Sequence, residues 1–594
     1  MKPFRLVILF TNFDLLSLKK EGISYFCLLI AKTCLKSDIC YQQGTLLSLM
    51  ILNKFEKAQL RATIFHHLDG IVTAPTAYTL QQAGILSHLN EHGVSGLTDL
   101  AKIFKANEGY LNVALRVLCS QGWLTQTFIG GGEEIQFEMT KEGSVATKYM
   151  HLYKEVVAFI PHAIQMEEYI SKGLGPEAFI PLKALFEQLK NRFNLPEATD
   201  PLEKGVQNQI LRHIEGAVAG PLIVALGIEG MFHRYFSIAP FKTEEFTQHT
   251  DELAAIVDFF AWLGWFSQKQ DIYNFTPIGL FFAKRASAYG VTVSYLPTFM
   301  QMRELLFGNP NVLWEKGTHQ VEIHVNRAMN VWGSGGAHTT YFKKIDEIII
   351  DLFNKPIHEQ PRGFADMGSG NGVLLEHIFE VIWKQTKRGE MLDDYPLFIV
   401  GSDFNEAALA ATRQTLNQAD VWAKVVWGDI GKPELLAEEL KDKYDISLGD
   451  LLNVRSFLDH NRIYQAPQKI DKDWESQSTG AFCFRGKRLP NAEVEQSLVE
   501  HLGKWKPYVK KFGLLVIELH TLDPALTAEN LGSTASTAYD ATHGFSDQYI
   551  LELNSFLRAA AASDLHPDPL YQTKYPPSDL ATVSINLLKA KEYL

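Results

Sequence analysis

The stretch Phe364-Ala-Asp-Met-Gly-Ser-Gly-Asn-Gly-Val-Leu-Leu-Glu376 constrains this chain more than any other. An apolar run, three glycines at alternate positions and a second apolar run read as a buried strand, a tight turn and the start of a helix. Gly368, Gly370 and Gly372 suit places where a side chain would obstruct: a sharp turn, close approach of a ligand, and packing of helix on strand. The spacing is Gly-x-Gly-x-Gly, not the Gly-x-Gly-x-x-Gly of dinucleotide-binding loops. Asp366, two residues ahead of the first glycine, is an acid where a phosphate-binding loop would avoid one. An acid there suits a ligand with a cationic amino group.

The following segments agree. Pro396-Leu-Phe-Ile-Val-Gly-Ser-Asp403 is an apolar run ending in an acid and beginning about twenty residues past the turn, where a carboxylate can accept two ribose hydroxyls. Ala423-Lys-Val-Val-Trp-Gly-Asp429 repeats the form. Tyr444–Leu448 and Gly513–Leu519 read as fourth and fifth strands, with helical segments between, and Ala581–Lys591 as the last. Alternating apolar strands and helices predict an α/β fold, a mostly parallel doubly wound sheet with its ligand at the carboxyl ends of the strands.

The glycine turn and the acids in register resemble the motifs of class I S-adenosylmethionine (SAM) methyltransferases. The resemblance implies a Rossmann-like, seven-stranded domain over residues 346–594 whose last strand is antiparallel. It assigns SAM binding to Asp366, Gly368, Ser369, Gly370, Asn371 and Gly372, to Asp403 and Phe404, and to Asp429 and Ile430, with Asp429 facing the adenine amino group. A dehydrogenase or a purely structural glycine loop is the weaker reading, because three acids recur at strand ends.

The chain has 594 residues, enough for three or four domains of ordinary size. Its net charge of −12 does not suggest a nucleic-acid partner. Of five cysteines, Cys27, Cys34 and Cys40 lie near the start and Cys119 and Cys483 stand apart. That pattern excludes a disulfide framework and a cysteine zinc site, and it fits a reducing cytoplasm. The first 49 residues hold two apolar runs too short to span a bilayer, and they read as an extension ahead of a start at Met50. No membrane association is expected.

Residues 50–155 read as a winged-helix-like unit. Helices over Ala74–Gly84, Leu97–Phe104 and Asn107–Gly122 precede a hairpin of Trp123–Phe128 and Ile135–Met139, closed by Thr140-Lys-Glu-Gly143. Residues 156–290 repeat the pattern: Asp251–Leu263, then Gly264-Trp265-Phe266, then Tyr273-Asn-Phe-Thr276-Pro-Ile-Gly279. Leu182–Leu189 between them reads as an amphipathic helix. A DNA-reading helix carries Arg, Lys, Asn or Gln on its exposed face, whereas the first third helix offers only Arg116 and a few amides and the second is acidic. The units therefore read as a module for enclosing substrate or for homodimer formation. Such a module precedes the catalytic domain of small-molecule O-methyltransferases, and its doubling is a departure from them.

Residues 291–345 read as linker and lid. Glu322–Phe342 contains His324, Arg327, Asn330, Trp332, three glycines, His338 and Tyr341. It suits a wall over the SAM and substrate pocket, against the alternative of a helix break with solvent-facing polar groups. The polar insertion over residues 465–491, with Trp474, Arg485, Lys487 and Arg488, reads either as a loop closing over substrate or as a solvated loop.

SAM supplies the methyl group, so the protein must position and activate an acceptor. Arg455, Asp459 and His460 follow the expected fourth strand, and His520 follows the fifth. His460 is either a general base for a hydroxyl or, with His520 and one of His543 and Gln548, a ligand to a divalent metal that would chelate a 1,3-dicarbonyl. Structural, hydrogen-bonded histidines are the third possibility.

Asn330-Val-Trp-Gly-Ser-Gly-Gly-Ala-His338, the glycine turn, Arg455-Ser-Phe-Leu-Asp-His460 and His543-Gly-Phe-Ser-Asp-Gln548 together resemble a small family. It is that of the metal-dependent C-methyltransferase of the apratoxin polyketide synthase loading module and its trans-acting relatives. The resemblance covers roughly residues 60–594 and is strongest after 320. It implies a mononuclear iron or manganese ion on His460, with His520, His543 and Gln548 less securely matched, and catalytic roles for His460, Asp459 and Arg455. It also implies methylation of a malonyl-type group on an acyl carrier protein. No carrier domain is evident in the chain, so it would act in trans or on a small molecule. The rival readings are a metal-free O-methyltransferase and a SAM-binding regulatory protein using its winged helices.

Overall fold

A computed structural model of the chain describes residues 52–130, 134–233, 237–314 and 323–593, the side chains of 337–339 and 593 excepted. The extension over residues 1–49, its three cysteines, Glu322 and the side chain of His338 lie outside the described residues.

The N-terminal half is helical. Helix α1 (Lys54–Gln82) is longer than the expected segment 74–84 and passes through Pro75. Its start is fixed by a capping box, Asn53 Oδ1 accepting from Glu56 N and Glu56 Oε2 from Asn53 N. Helix α2 (Ile85–His92), strand β1 (Ser95–Gly96), α3 (Leu97–Phe104), α4 (Glu108–Ser120), β2 (Leu124–Ile129) and β3 (Glu134–Met139) complete a winged helix with sheet order β1-β3-β2. The amphipathic segment lies in a helix over Gly175–Lys190. Helix α5 (Pro201–Ile228) packs along α1. It is the one helix among the described residues long and apolar enough to cross a membrane, and here it is mostly buried in the core.

Helix α6 (Thr250–Trp262) and the antiparallel hairpin β4 (Phe266–Lys269) and β5 (Ile272–Phe275) repeat the unit. One local device closes both hairpins. The Thr140 hydroxyl accepts from Gly143 N (2.9 Å) and donates to Gly122 O (2.8 Å). The Thr276 hydroxyl accepts from Gly279 N (3.0 Å) and donates to Gly264 O (2.6 Å).

Helices α7 (Ser287–Ser294) and α8 (Arg327–Phe342) cross at Gly290 and Gly333. A Cβ on Gly333 would lie 2.6 Å from Val291 N, so only glycine permits this approach. The expected alternative of a helix break therefore does not occur, since α8 is continuous. Its glycines serve close packing, and Gly335 brings α8 against Asn371 of the glycine turn.

The sheet follows: β6 (Gly363–Met367), helix α9 (Val373–Gln385), β7 (Phe398–Asp403), α10 (Glu406–Gln418), β8 (Lys424–Trp427), α11 (Pro433–Tyr444), β9 (Leu452–Ser456), the short hairpin β10 (Cys483–Phe484) and β11 (Lys487–Arg488), α12 (Asn491–Val509), β12 (Leu514–Leu519), α13 (Ser536–Gly544), β13 (His566–Pro567), β14 (Thr573–Tyr575) and β15 (Val583–Lys589). The order is β13-β15-β12-β9-β6-β7-β8, with β14 also on β15. Pairings among β12, β9, β6, β7 and β8 are parallel, and β15 is antiparallel to β12. The doubly wound, Rossmann-like sheet thus has eight strands rather than seven, two of them short pieces sharing β15. Alternation serves both faces: Leu515 and Ile517 enter one core, Leu514 and Val516 the other.

The expected fourth strand, Tyr444–Leu448, is not a strand. Helix α11 runs to Tyr444 and stops at Asp445 in the left-handed conformation (φ 52°), and the strand is β9. Arg455 therefore sits on the strand and not beyond it. A third core runs through the helical half from Ile64 to Met329 and takes in Ala538 and Ala541 of α13.

The α7–α8 crossing gives a direct test. Gly333→Ala forces the helices apart and should cost about 1–3 kcal/mol, read as a lowered thermal midpoint. Gly205→Ala, in open space on α5, should be neutral or stabilising. Equal midpoints for the two variants would contradict the packing described.

Candidate functional site

The cofactor end is built by the turn after β6. Gly368, Gly370 and Gly372 all have positive φ (77°, 55° and 79°). Gly368 N and Ser369 N both donate to Ser402 O (2.7 and 3.0 Å), which staples the turn to β7. Ser369 Oγ meets Thr412 Oγ1 at 2.9 Å, and Asn371 Oδ1 accepts from Val373 N at 3.3 Å. A side chain added at Gly370 would meet only Gly368 O, at 3.9 Å, so the turn faces open space there.

Asp366 is buried, its Oδ1 has no hydrogen-bond partner, and burial together with Asp403 pushes its carboxyl well above the usual range. A buried acid with an orphaned oxygen lacks a cationic donor, which is what the amino group of SAM would supply. Asp403 Oδ2 accepts from Gly370 N (3.1 Å) and Oδ1 from Asn405 N (2.9 Å). It holds the turn and keeps a second lone pair on each oxygen. Phe404 is exposed and leans on Trp427, with ring centroids 5.5 Å apart. Asp429 lies two residues past β8, its Oδ1 accepting from Gly431 N (2.8 Å), and Ile430 O accepts from Trp505 Nε1 (2.8 Å).

The candidate acceptor end lies where β9 and β12 finish. Phe457 adopts φ 55° and turns the chain out of the sheet, its N–H donating to Ile517 O at 2.7 Å. That turn lays Asp459 and His460 over Glu518 at the end of β12. Glu518 Oε2 accepts from Asp459 N (2.8 Å), and Oε1 accepts from His460 Nδ1 (2.5 Å) and Leu519 N (2.8 Å). Behind them, the fully buried Arg455 pairs with Asp459 and lies 4.2 Å above the Trp505 ring. His501 Nε2 donates to the same Asp459 oxygen at 3.0 Å. Burial opposes the ionised Asp459, but Arg455 and His501 outweigh it and hold the carboxyl well below its usual range.

His543, on α13, faces His460 edge to face with centroids 5.1 Å apart. Its Nδ1 donates to Tyr539 O (2.9 Å), and burial pushes its pKa down to about 3, so the ring is neutral with Nε2 as its lone pair. The Tyr549 N–H donates to His460 O at 2.7 Å and brings Gln548 alongside. Gln548 Nε2 donates to Tyr295 Oη (2.9 Å) and Ser546 Oγ (2.8 Å), leaving Oε1 as the acceptor.

Three expectations are revised. His520 does not fit a ligand role: Nδ1 donates to Leu551 O (3.2 Å), Nε2 accepts from Ser584 Oγ (2.7 Å), and the ring is wholly buried. Arg455 and Asp459 form a buried pair beneath His460 and do not reach an acceptor themselves. The insertion over residues 465–491 is pinned, not free to close. The buried Glu495 carboxylate accepts from Trp474 Nε1 (2.5 Å), Ser476 Oγ (3.1 Å) and Ser478 N (3.2 Å). Arg485 pairs with Asp547 and stacks on Trp314, and Arg488 meets Glu108. Glu518 and His501 are site residues that reading the sequence missed. The acid-at-strand-end signal that selected Asp403 and Asp429 is present at Glu518 too.

A doubly wound sheet with an acid-flanked glycine turn after β6 and an antiparallel β15 is the fold of a class I methyltransferase. Residues 322–586 match the family described as AprA MT2-like domain, residues 60–126 the AprA N-terminal domain, and residues 215–309 the AprA winged helix domain. The chain is a SAM-dependent methyltransferase, an enzyme that resembles AprA in all three of these segments. No curated protein matches it. Similar solved structures include human N-acetylserotonin methyltransferase with SAM (11% identity, TM-score 0.37, 67% of this chain and 100% of that one). Others are the mitomycin 7-O-methyltransferase MmcR (11%, 0.38, 64% and 98%) and a Planctomyces limnophilus O-methyltransferase family 2 protein with apigenin (12%, 0.35, 89% and 95%).

Burial lowers the His520 pKa from 6.5 to about 4. Below pH 6.5 the unfolded chain takes up a proton that the folded chain refuses, so this residue makes stability fall with acid, by about 1.4 kcal/mol per pH unit down to the folded value. His520→Asn should therefore flatten the dependence of unfolding free energy on pH between 6.5 and 4 relative to wild type, measured in urea. An unchanged slope would mean that the ring is not held neutral.

Proposed function

We propose that this enzyme methylates the acidic carbon of a malonyl-type acyl group presented by a carrier protein, with one divalent iron or manganese ion held by His460 Nε2, His543 Nε2 and Gln548 Oε1. The observation that carries the reading is the pair of facing imidazoles, each with Nδ1 donated to a protein acceptor, so that Nε2 is the ligand atom on both. A carboxylate behind one imidazole and a carbonyl behind the other is how metal-binding histidines are oriented. Among the described residues no group of three or more His, Cys, Asp or Glu side chains is set to hold a metal, so the third donor would be the Gln548 amide. Two imidazoles and an amide oxygen suit iron or manganese. When bound, the ion would supply Lewis-acid stabilisation of an enolate oxygen.

The chain's own residues do the rest. Asp366 anchors the SAM amino group, and the glycine turn admits the cofactor at Gly370. Glu518 fixes His460, and the Arg455–Asp459 pair fixes the loop that carries it. Helix α8 walls off the turn through Gly335 and Asn371. The unpaired, buried thiols Cys119 and Cys483 support a cytoplasmic location.

A second reading is favoured by the 2.5 Å contact of His460 with Glu518. A carboxylate-backed imidazole is also a general base for a hydroxyl acceptor, without a metal.

Metal analysis separates the two. Purified wild type should carry about one iron or manganese per chain, His460→Ala and His543→Ala should lose it, and His520→Asn should retain it. Metal-free protein that still binds SAM would sink the first reading and leave the second. Asp366→Ala should weaken SAM binding by about thirtyfold or more, roughly 2 kcal/mol for a lost charged hydrogen bond. Calorimetry showing unchanged affinity would remove Asp366 from the cofactor site.

A further inference from the structure

The third helix of the first winged helix, α4, is the element that reads bases in DNA-binding relatives of the fold. Here every residue from Gly109 to Ser120 is buried. Much of that burial is against the catalytic half. Val113 packs on Gly544, Arg116 binds Asp540, and Gln121, just past α4, donates to Thr537 Oγ1 at 3.0 Å. The three contacts run in opposite order along the two chains, so α4 lies antiparallel along α13, the helix that carries His543.

Arg116 is the centre of this seam. A guanidinium has five N–H donors, and here all five are used. Nε donates to Asp540 Oδ2 (2.9 Å). One terminal nitrogen donates to the Thr479 carbonyl and to Thr479 Oγ1 (3.2 Å), and the other to Thr521 Oγ1 (3.1 Å) and Leu522 O (2.6 Å). The Thr521 hydroxyl in turn donates to Asp540. Asp540 stands one helical turn before His543. Thr521 and Leu522 follow β12, whose Glu518 holds His460. Thr479 belongs to the pinned insertion and is itself held by Glu552 through its N–H and hydroxyl (2.8 and 2.7 Å).

We infer that Arg116 is a positioning residue. One side chain from the N-terminal module joins the end of β12 to α13 and so sets His543 against His460. This rests on the reading of His460 and His543 as one site. It gives the winged helix an internal use, as a template on which the second half of the acceptor site is assembled.

Arg116→Lys keeps the charge beside Asp540 but has three rotatable donors in place of a planar five, so the helix stays paired while the fork is lost. The experiment is NMR of the full chain labelled with 15N-histidine, in chelator, with His543 identified by the signal missing from His543→Gln. In wild type His543 should show the single tautomer with hydrogen on Nδ1. In Arg116→Lys the ring 1H and 15N signals of His543 should shift, because they sense the facing His460 ring, while the Nδ1 tautomer, held by Tyr539 O on the same helix, stays. His377, held by Asp346 elsewhere in the domain, should not move. SAM affinity should stay within about twofold, since the cofactor turn lies on other elements. Retained SAM binding with an unmoved His543 signal would overturn the inference. Should Arg116→Lys fail to fold, Thr521→Val decides, removing the hydroxyl by which the end of β12 is joined to both Arg116 and Asp540: a moved His543 signal supports the inference, and an unmoved one overturns it. The protein is metal-free throughout, so a failed metal assignment leaves this result interpretable.

Discussion

The loop that carries His460 depends on one carboxylate. Glu518 ends β12 inside the protein, where an acid needs several donors, and it finds them in the backbone of Asp459, the ring of His460 and the backbone of Leu519. Those bonds can form only because Phe457 takes a left-handed backbone conformation and folds the chain leaving β9 back over its neighbour. The buried Arg455–Asp459 pair, with His501 behind it, then keeps the loop from swinging away. The orientation of His460 is thus a consequence of how two parallel strands end side by side.

Much of this was legible in the sequence and some was not. The glycine turn, the strand-end acids and the doubled winged helix are local patterns, and the structure contains each of them. The fourth strand was misplaced because Asn453 and Arg455 make 452–456 look like a polar loop. They are nonetheless buried, each held in part by a distant partner that no local pattern reveals. Asn453 Nδ2 donates to the carbonyls of Leu448, Leu451 and Tyr508, and Arg455 lies between Asp459 and Trp505. His501 could not be found, because its partner is 42 residues distant in the chain. His520 is a candidate ligand by its place beside His460 in the strand order, yet its ring bonds to Leu551 and Ser584, the structural alternative the sequence leaves open.

The same limit explains Arg116. On the sequence it is an isolated cation on a helix whose other features are amides and apolar residues, the weak signature of a DNA reader. In the fold its carboxylate partner is 424 residues away. A winged helix offers a third helix supported on a small sheet, and whatever that helix presents can be read by nucleic acid or by protein. Here it presents apolar residues, one arginine and one amide to α13. The N-terminal half and α13 therefore share one hydrophobic core, which includes Ala538 and Ala541.

On the proposed reading, cofactor and acceptor meet between the glycine turn and the His460–His543 pair. Anomalous diffraction from crystals grown with S-adenosylhomocysteine and manganese tests it most directly. The account predicts a single strong anomalous peak bonded to His460 Nε2 and His543 Nε2, with the cofactor's amino group on Asp366 and its sulfur directed toward that peak. A cofactor bound on the turn with its sulfur directed away from both histidines, or a peak on other residues, would contradict it.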